Sequence, residues 1–322
     1  MKSLHDAHFE NVDVVTSRLA DVDYIASRQL ATSVFLAFNL EKPVLVEGPA
    51  GVGKTELAKS LAAILDVPLI RLQCYEGLDE SKALYEWKYG KQLLYTQLLK
   101  DKLAELMQGA VGLAASIDRL HAHDDLFFSE HFLEPRPLYQ ALHQERGCVL
   151  LIDEVDKSDP EFEAFLLEVL SDFQVSVPEL GTIAAKVKPL VFLTSNNTRE
   201  MSDALKRRCL HLHIPFPEAG VERRILERRV PGLSEHLNRE LVAFVQAVRA
   251  LDLKKQPSVS ETIDWAKTLL LLNAEHLNLD LVRDTLNTFL KFEQDIATAA
   301  EQLPTLLATA RKNADLSHAG HA

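Results

Sequence analysis

The feature that most constrains this chain is a glycine-rich segment that lies between two short apolar stretches. Its residues match the pattern G-x-x-x-x-G-K-S/T in full and are Gly48, Pro49, Ala50, Gly51, Val52, Gly53, Lys54 and Thr55. The β-branched run before it, 44–46, predicts a buried strand, and the apolar spacing over 55–65 predicts a helix. A strand, a glycine loop and a helix in this order predict an α/β fold with a phosphate-binding loop.

The residue types of this loop indicate its chemistry. Glycines let backbone amides curl around phosphate oxygens, and the N-terminus of the next helix adds positive potential. Lys54 would reach the β- and γ-phosphates of ATP, and the hydroxyl of Thr55 would ligate Mg²⁺. We therefore expect ATP and Mg²⁺ as ligands. A glycine turn that merely precedes a helix is the alternative.

A second apolar strand, predicted at 150–152, ends in two adjacent carboxylates, Asp153 and Glu154. Ligands bind at the carboxyl ends of the strands in open α/β sheets. We expect Asp153 to hold the magnesium shell and Glu154 to orient, or take a proton from, the water that attacks the γ-phosphate. Alone, such a pair is usually just the end of a strand. Beside the glycine loop it predicts a hydrolytic site.

Two more segments carry candidate site residues. The strand predicted at 190–193 is followed by Asn196, a candidate contact to the γ-phosphate, with a turn-forming asparagine as the alternative. The segment 204–209 concentrates Arg207 and Arg208 in an otherwise acidic chain. An arginine presented to a neighbouring subunit's nucleotide would neutralise the charge that develops on the γ-phosphate. An exposed basic helix face is the alternative there.

The distribution of apolar runs predicts two domains. Strands are predicted only within 1–215, and their near-continuous apolar character suits a parallel sheet covered on both faces. A mostly helical stretch over 77–137 interrupts them as an insertion. Beyond Pro215 the periodicity predicts helices alone, so we expect a helical domain over 216–295. The alanine-rich end of the chain, 296–322, is expected to be poorly ordered.

Charge and hydropathy narrow the range of partners. The chain has 35 Lys and Arg against 47 Asp and Glu, a net charge of -12 that repels a phosphate backbone. Nucleic acid is therefore a disfavoured partner. The longest apolar runs fall short of the about 18 residues that span a bilayer, and the first residues lack a secretory pattern. We expect a cytoplasmic protein with no transmembrane segment and at most peripheral contact with a membrane.

The order of these motifs resembles that of AAA+ ATPases and, within them, of the MoxR group. The resemblance extends over about residues 23–292. It implies a P-loop AAA+ αβα core with a parallel sheet, a small all-helical lid, ATP hydrolysis and a homo-oligomeric ring, for which six subunits are expected. By position in the family's basic box, Arg208 is the first choice for an arginine finger and Arg207 the second.

Further stretches support the MoxR resemblance. Residues 77–137 occupy the place of the family's helix-two insertion, and 175–189 that of the hairpin before sensor one; both face the pore of similar rings. The segment 71–80 is similar to CoxD-like members, which are associated with the maturation of molybdenum-containing carbon monoxide dehydrogenases and related hydroxylases. This implies a client metalloenzyme and a von Willebrand A-domain adaptor. One position departs from the pattern, because Glu261 stands where relatives place a sensor-two arginine.

Two other functions stay open at this point. An AAA+ nucleic-acid motor or loader would need a basic pore with stacking aromatics, whereas the expected pore segments carry acidic residues such as Glu86 and Glu179. A P-loop small-molecule kinase would also close over nucleotide, but it would not need Arg207, Arg208 or the C-terminal helices. We expect a ring ATPase that acts as a chaperone or remodeller of a partner protein.

Overall fold

The computed structural model describes residues 9–98, 130–177 and 181–319, together with Leu4. Strands and helices alternate over the first two thirds of these residues, and helices alone follow. The elements of the first part are α1 (Val12–Asp21), α2 (Arg28–Leu40), β1 (Val44–Glu47), α3 (Lys54–Leu65), β2 (Leu69–Gln73), α4 (Glu80–Ala83), β3 (Tyr85–Trp87), α5 (Tyr89–Leu98), β4 (Leu133–Pro135), α6 (Pro137–Leu142), β5 (Val149–Asp153), α7 (Pro160–Asp172), β6 (Gln174–Val177), β7 (Gly181–Ala184), β8 (Leu190–Ser195), α8 (Asp203–Arg208) and β9 (Leu210–His213). Those of the second part are α9 (Ala219–Arg229), α10 (Glu235–Arg249), α11 (Val259–Leu271), α12 (Leu279–Phe289), α13 (Glu293–Glu301) and α14 (Leu303–Ala319).

Five of these strands form one parallel sheet, in the order β2-β5-β8-β1-β9. Every residue of β1, β5 and β8 is buried, which explains why these strands are almost continuously apolar. Because the strands are parallel, their carboxyl ends meet at one edge of the sheet. Glu47, Gln73, Asp153 and Ser195 lie at that edge. The expected α/β fold with a parallel sheet is confirmed.

Both faces of the sheet are covered, since successive side chains of a strand point to opposite sides. Leu45 and Ile152 belong to a core that includes Phe162 of α7. Val44 and Leu151 belong to a second core, on the other face, with residues of α1, α2 and α3. The sheet is therefore the middle of three layers.

Two short antiparallel pairs lie outside this sheet. β3 pairs with β4 inside the expected insertion 77–137, and residues 99–129 of that insertion lie outside the described residues. β6 pairs with β7 where the pre-sensor-one hairpin is expected, and residues 178–180 lie outside the described residues. That either segment faces a ring pore stays a prediction.

The helices α9–α14 have a core of their own, built around Trp265, Phe244 and Phe289. The stretch 296–319, where a poorly ordered end is expected, lies in α13 and α14, and these helices bury Ala299 and Leu303 in this core. Alanine is the strongest helix former. An alanine-rich segment therefore forms helices readily, and a few leucines at helical spacing suffice to pack them against the core. Residues 320–322 lie outside the described residues. Within the described ranges, the helices lack the combination of length and apolar character required to cross a membrane.

Candidate nucleotide site

The glycine loop joins the end of β1 to the start of α3, and two of its glycines have no substitute. Gly48 has a φ of 145°, and a Cβ there would lie 2.1 Å from the carbonyl oxygen of Ile214. Gly51 has a φ of 71°, and a Cβ there would lie 2.6 Å from the side chain of Ser258. Only glycine combines such backbone angles with so close an approach. The loop is therefore pressed against both the end of β9 and the start of α11.

Lys54, the cation of this loop, is buried, with 7% of its surface exposed. Its Nζ donates to the carbonyl oxygens of Gly48 at 2.6 Å and Pro49 at 2.7 Å, and to Oδ1 of Asn196 at 2.8 Å. Burial lowers the pKa of Lys54 to about 8, although nearby carboxylates, Asp156 foremost, pull it upward. The structure thus brings together Lys54 and Asn196, which the sequence identified separately. All three acceptors are neutral.

Thr55 and Asp153, the predicted magnesium residues, are in contact. Oγ1 of Thr55 donates to the Asp153 carboxylate, with oxygen distances of 3.2 and 3.3 Å. Thr194 of β8 donates to Oδ1 of Asp153 at 2.5 Å. Arg71 of β2 donates to Oδ2 from Nε at 2.9 Å and from Nη2 at 2.5 Å. Hydroxyl and carboxylate oxygens are the ligands that Mg²⁺ prefers, so the donor set fits this ion.

Glu154 begins the turn after β5 in a left-handed backbone conformation, with φ 57° and ψ 48°. Such angles are uncommon outside glycine and concentrate at functional sites. Its carboxylate accepts from Gln73 Nε2 at 2.8 Å and from Lys157 Nζ at 2.7 Å, while Nδ2 of Asn196 lies 3.5 Å away. The candidate base is therefore held by side chains from the neighbouring strand and from its own turn.

A buried carboxylate that sequence reasoning missed, Asp156, positions Asn196. Burial raises the pKa of Asp156, but hydrogen bonds from Thr198 and from the backbone N–H of Asn196 outweigh that effect and lower it. The distances are 2.6 Å to the Thr198 hydroxyl and 3.2 Å to the Asn196 nitrogen. Asp156 thus fixes the turn after β8. The sequence could have revealed this residue, because Asp156 is a third acidic residue just after Asp153 and Glu154.

Arg71, Gln73 and Thr194 were not predicted as site residues from their own chemistry. Their roles depend on strand pairing, because β2 and β5 align Gln73 with Asp153 across the sheet. Arg71 is 82 positions from Asp153 and Thr194 is 41 positions from it, and contacts over such distances leave no local pattern in the sequence. Only the strand order reveals them.

The structure does not bring Arg207 and Arg208 into this cluster. Both are exposed on α8. Arg208 donates from Nε to the Ser171 hydroxyl at 2.6 Å and from Nη1 to the Ala204 carbonyl at 3.2 Å. Neither arginine hydrogen-bonds Lys54, Asp153 or any other described part of the site.

Glu261 caps α11 instead of facing the glycine loop. The backbone N–H of Ser258 donates to Oε2 of Glu261 at 2.7 Å, and the N–H of Glu261 donates to the Ser258 hydroxyl at 3.2 Å. This reciprocal pair satisfies two amides of the first helical turn. Capping of the N-terminus of α11 therefore accounts for a glutamate where the resemblance implied an arginine.

A cavity of 810 Å³ extends from the glycine loop between the sheet and the C-terminal helices. Its walls include Tyr24, Gly53, Phe216 and Lys267. The start of α11 closes one side, since the N–H and Oγ of Ser260 lie 3.3 and 3.4 Å from the Gly51 carbonyl oxygen. A volume in this range is typical of small-molecule sites.

The fold and the site define a P-loop protein of the three-layer α/β class. Residues 43–209, about half of the chain, match the family described as AAA domain (dynein-related subfamily). The chain belongs to this family.

Relatives at the sequence level include uncharacterized proteins of Staphylococcus aureus. The protein of strain bovine RF122 / ET3-1 is 25% identical over 240 residues, which cover 72% of this chain and 77% of that protein. The protein of strain USA300 is 22% identical with the same coverage. Their descriptions assign no activity that could be carried over.

Solved structures with a similar chain path include RuvB of Thermotoga maritima. A RuvB mutant is 19% identical with a TM-score of 0.44, and RuvB described as a Holliday junction branch migration motor is 18% identical with a TM-score of 0.41. Each similarity covers 89% of this chain and 72% of the RuvB chain. At these scores the similarities carry no argument about function.

Proposed function

We propose that this chain binds ATP with Mg²⁺ at the glycine loop and hydrolyses it. One observation carries the proposal: a buried lysine, a hydroxyl, two carboxylates and an amide converge at the carboxyl edge of the sheet. They are Lys54, Thr55, Asp153, Glu154 and Asn196. Membership of the AAA family supports the same chemistry.

Each residue has a distinct role in this proposal. Lys54 exchanges its carbonyl partners for phosphate oxygens, and the backbone of 48–53 surrounds the phosphates. Thr55 and Asp153 hold Mg²⁺, which neutralises charge on the β- and γ-phosphates when bound. Glu154 orients the attacking water or accepts its proton, and Asn196 contacts the γ-phosphate. Gln73 and Lys157 keep the Glu154 carboxylate in place.

We extend the proposal to a homo-oligomeric, hexameric ring of MoxR type. The exposure of Arg208 and Arg207, away from their own chain's site, supports a role at a neighbour's nucleotide. The similarity of 71–80 to CoxD-like members supports a client metalloenzyme, such as a molybdenum hydroxylase or carbon monoxide dehydrogenase, and a von Willebrand A-domain adaptor. In this proposal, ATP turnover remodels the client.

Two substitutions separate binding from hydrolysis. Lys54→Ala is expected to abolish ATP binding, because the loop has no other mobile cation. Glu154→Gln is expected to bind ATP normally and to lose turnover, since an amide keeps the shape but cannot act as a base. Fluorescent-nucleotide titration and phosphate release measure the two steps.

Lys59→Ala is the matched control, because Lys59 lies on the same helix with its side chain 55% exposed. It is expected to bind and hydrolyse ATP like the unmodified protein. Full ATP affinity in Lys54→Ala would contradict the binding site. Normal turnover in Glu154→Gln would assign the base to another residue.

A further inference from the structure

The carboxylate of Asp153 has no acceptor position left. A carboxylate offers about four lone-pair positions. Two accept from Nε and Nη2 of Arg71, one from the hydroxyl of Thr194, and one from the hydroxyl of Thr55. A magnesium ion or a water of its shell therefore needs one of these donors to leave.

Arg71 is the donor that can leave. Thr194 is buried, with 1% of its surface exposed, and its oxygen also accepts from the backbone N–H of Glu154. Thr55 can ligate the ion through its oxygen and still donate its proton to Asp153. The side chain of Arg71, by contrast, is 50% exposed on a long flexible stem. Charge favours the same outcome, since two cations beside one carboxylate repel each other.

The pairing of β2 with β5 links this guanidinium to Glu154 as well. Arg71 and Gln73 are two residues apart and share a face of the sheet. Nη2 of Arg71 donates to Oε1 of Gln73 at 2.5 Å, and Nε2 of Gln73 donates to Glu154 at 2.8 Å. Arg71 thus contacts Asp153 directly and Glu154 through Gln73.

We infer that Arg71 is a positioning residue that competes with Mg²⁺ for Asp153, so its release sets the Mg²⁺ concentration at which the site takes up nucleotide. This inference rests on the proposed ATP site. Competition of this kind is reciprocal: Mg²⁺ weakens the Arg71 contact as much as that contact weakens Mg²⁺.

The test is a Mg²⁺ titration of fluorescent ATP-analogue binding to the full chain. Loss of a charge-assisted contact at a half-exposed site corresponds to about a tenfold change in an equilibrium constant. We expect Arg71→Met to lower the Mg²⁺ concentration at half-maximal binding about tenfold. Arg71→Lys keeps the charge but not the two-pronged geometry. Its Mg²⁺ midpoint is expected to lie between those of the unmodified protein and Arg71→Met. A contribution of Arg71 to folding alone would leave this midpoint unchanged.

Arg146→Met is the matched control, because Arg146 lies 3.6 Å from Asp66 at the opposite end of α3. Its Mg²⁺ midpoint is expected to equal that of the unmodified protein. If Arg71→Met does not fold, Arg71→Gln replaces it, because glutamine leaves Asp153 a neutral donor. The same decrease in the Mg²⁺ midpoint is expected.

The outcomes distinguish this inference from the ATP proposal beneath it. If the unmodified protein binds the analogue with Mg²⁺ and the midpoint of Arg71→Met or Arg71→Gln is unchanged or higher, the competition is wrong. If the unmodified protein binds no analogue at any Mg²⁺ concentration, the proposed ATP site itself is wrong.

Discussion

Two regions of this molecule bury charged side chains, and they do so differently. At the sheet edge, Lys54 is surrounded by the carbonyl oxygens of Gly48 and Pro49 and by the amide of Asn196. In the C-terminal helices, Arg249 and Glu222 form a pair with two contacts of 2.7 Å, and their side chains are 6% and 0% exposed.

The partners of the helical pair belong entirely to the chain and are fixed. Arg249 also donates to the Pro257 carbonyl at 2.8 Å, and Glu222 also accepts from Gln246 at 2.9 Å and from Thr262 at 3.0 Å. This cluster joins α9, α10 and α11 and needs nothing further. Removing either charge would leave the other buried and unpaired.

Lys54 differs because all its direct partners are neutral. Exchanging a carbonyl for a phosphate oxygen leaves no buried anion behind, so the exchange is inexpensive and the gain of a charge-assisted bond is large. The comparison teaches that buried charge alone does not mark a functional site. A buried cation held by replaceable, neutral acceptors next to glycines with positive φ is what phosphate binding requires, and this supports the proposed role of Lys54.

The largest expected effect tests whether the sheet-edge site is incomplete within one chain. If Arg208 completes a neighbour's site, Arg208→Ala should lower ATP turnover by about 10³- to 10⁵-fold, because an arginine there neutralises charge developing on the γ-phosphate. Mixing Arg208→Ala with Lys54→Ala should restore turnover, since some interfaces then have both groups. Phosphate release measures the recovery.

The control for this mixture is evidence of subunit exchange, for example by fluorescence transfer between labelled subunits. With exchange shown, a mixture as inactive as its parents contradicts the assignment of Arg208, as does normal turnover by Arg208→Ala alone. Arg207→Ala is then the next variant. If both arginines are dispensable in a protein that stays monomeric with ATP, the ring proposal fails.

The helical pair should respond through stability instead. Arg249→Met leaves the carboxylate of Glu222 without its charged partner, and breaking a buried pair from one side costs about 3–5 kcal/mol. Urea unfolding measures the loss. Arg239→Met is the control, because the side chain of Arg239 is also largely covered, at 17% exposed, but its partner Glu235, 2.8 Å away, is 78% exposed. A carboxylate that water still solvates contributes only about 0.2–1 kcal/mol to such a pair.

A second substitution sharpens this result. Replacing both partners by apolar residues, as in Arg249→Met with Glu222→Leu, should recover much of the lost stability, because no unpaired charge remains. A double variant as unstable as Arg249→Met alone would mean that the pair also positions α9, α10 and α11 in a way that packing cannot replace.

The two regions also differ in how far the sequence predicts them. The glycine loop and the paired carboxylates are contiguous, so Lys54 and Asp153 could be found from local patterns and the fold class followed from the same strand-loop-helix order. The pair Glu222 and Arg249 is 27 positions apart on different helices, and nothing in either segment marks the contact. Arg71 was likewise invisible, because its role depends on which strand lies beside β5.

The pKa of Lys54 makes nucleotide affinity depend on pH. Burial lowers it to about 8, so the free site loses its cation as the pH rises through that value. Phosphates bind the charged form, so bound nucleotide raises this pKa, and affinity should fall by up to about tenfold per pH unit above pH 8 until the pKa of the bound state is reached. Titrations between about pH 7 and about pH 9.5 measure the fall.

Lys54→Arg is the control for this titration, because a guanidinium stays charged throughout that range. Whatever its absolute affinity, its pH profile should be flatter than that of the unmodified protein. If affinity falls equally steeply with pH in both proteins, a group other than Lys54 titrates. The charge of Lys54 would then not explain why its partners can be exchanged for phosphate.

The smallest expected effect concerns an ion pair that joins the two regions. Arg229 of α9 lies 2.7 Å from Glu56 of α3, and their side chains are 39% and 35% exposed. Solvent screens such a pair, which is typically worth about 0.2–1 kcal/mol, so Arg229→Met should change ATP affinity by less than about fivefold. The difference should disappear near 1 M salt, where the Debye length is only about 3 Å.

Nucleotide titrations of both proteins at low and high salt measure this difference in affinity, with Arg239→Met as a control that does not touch α3. A loss of a hundredfold or more, or one that salt does not weaken, would mean that the helices are held over the glycine loop chiefly by this pair. The helical region would then control the nucleotide site through Glu56, which directly follows Thr55.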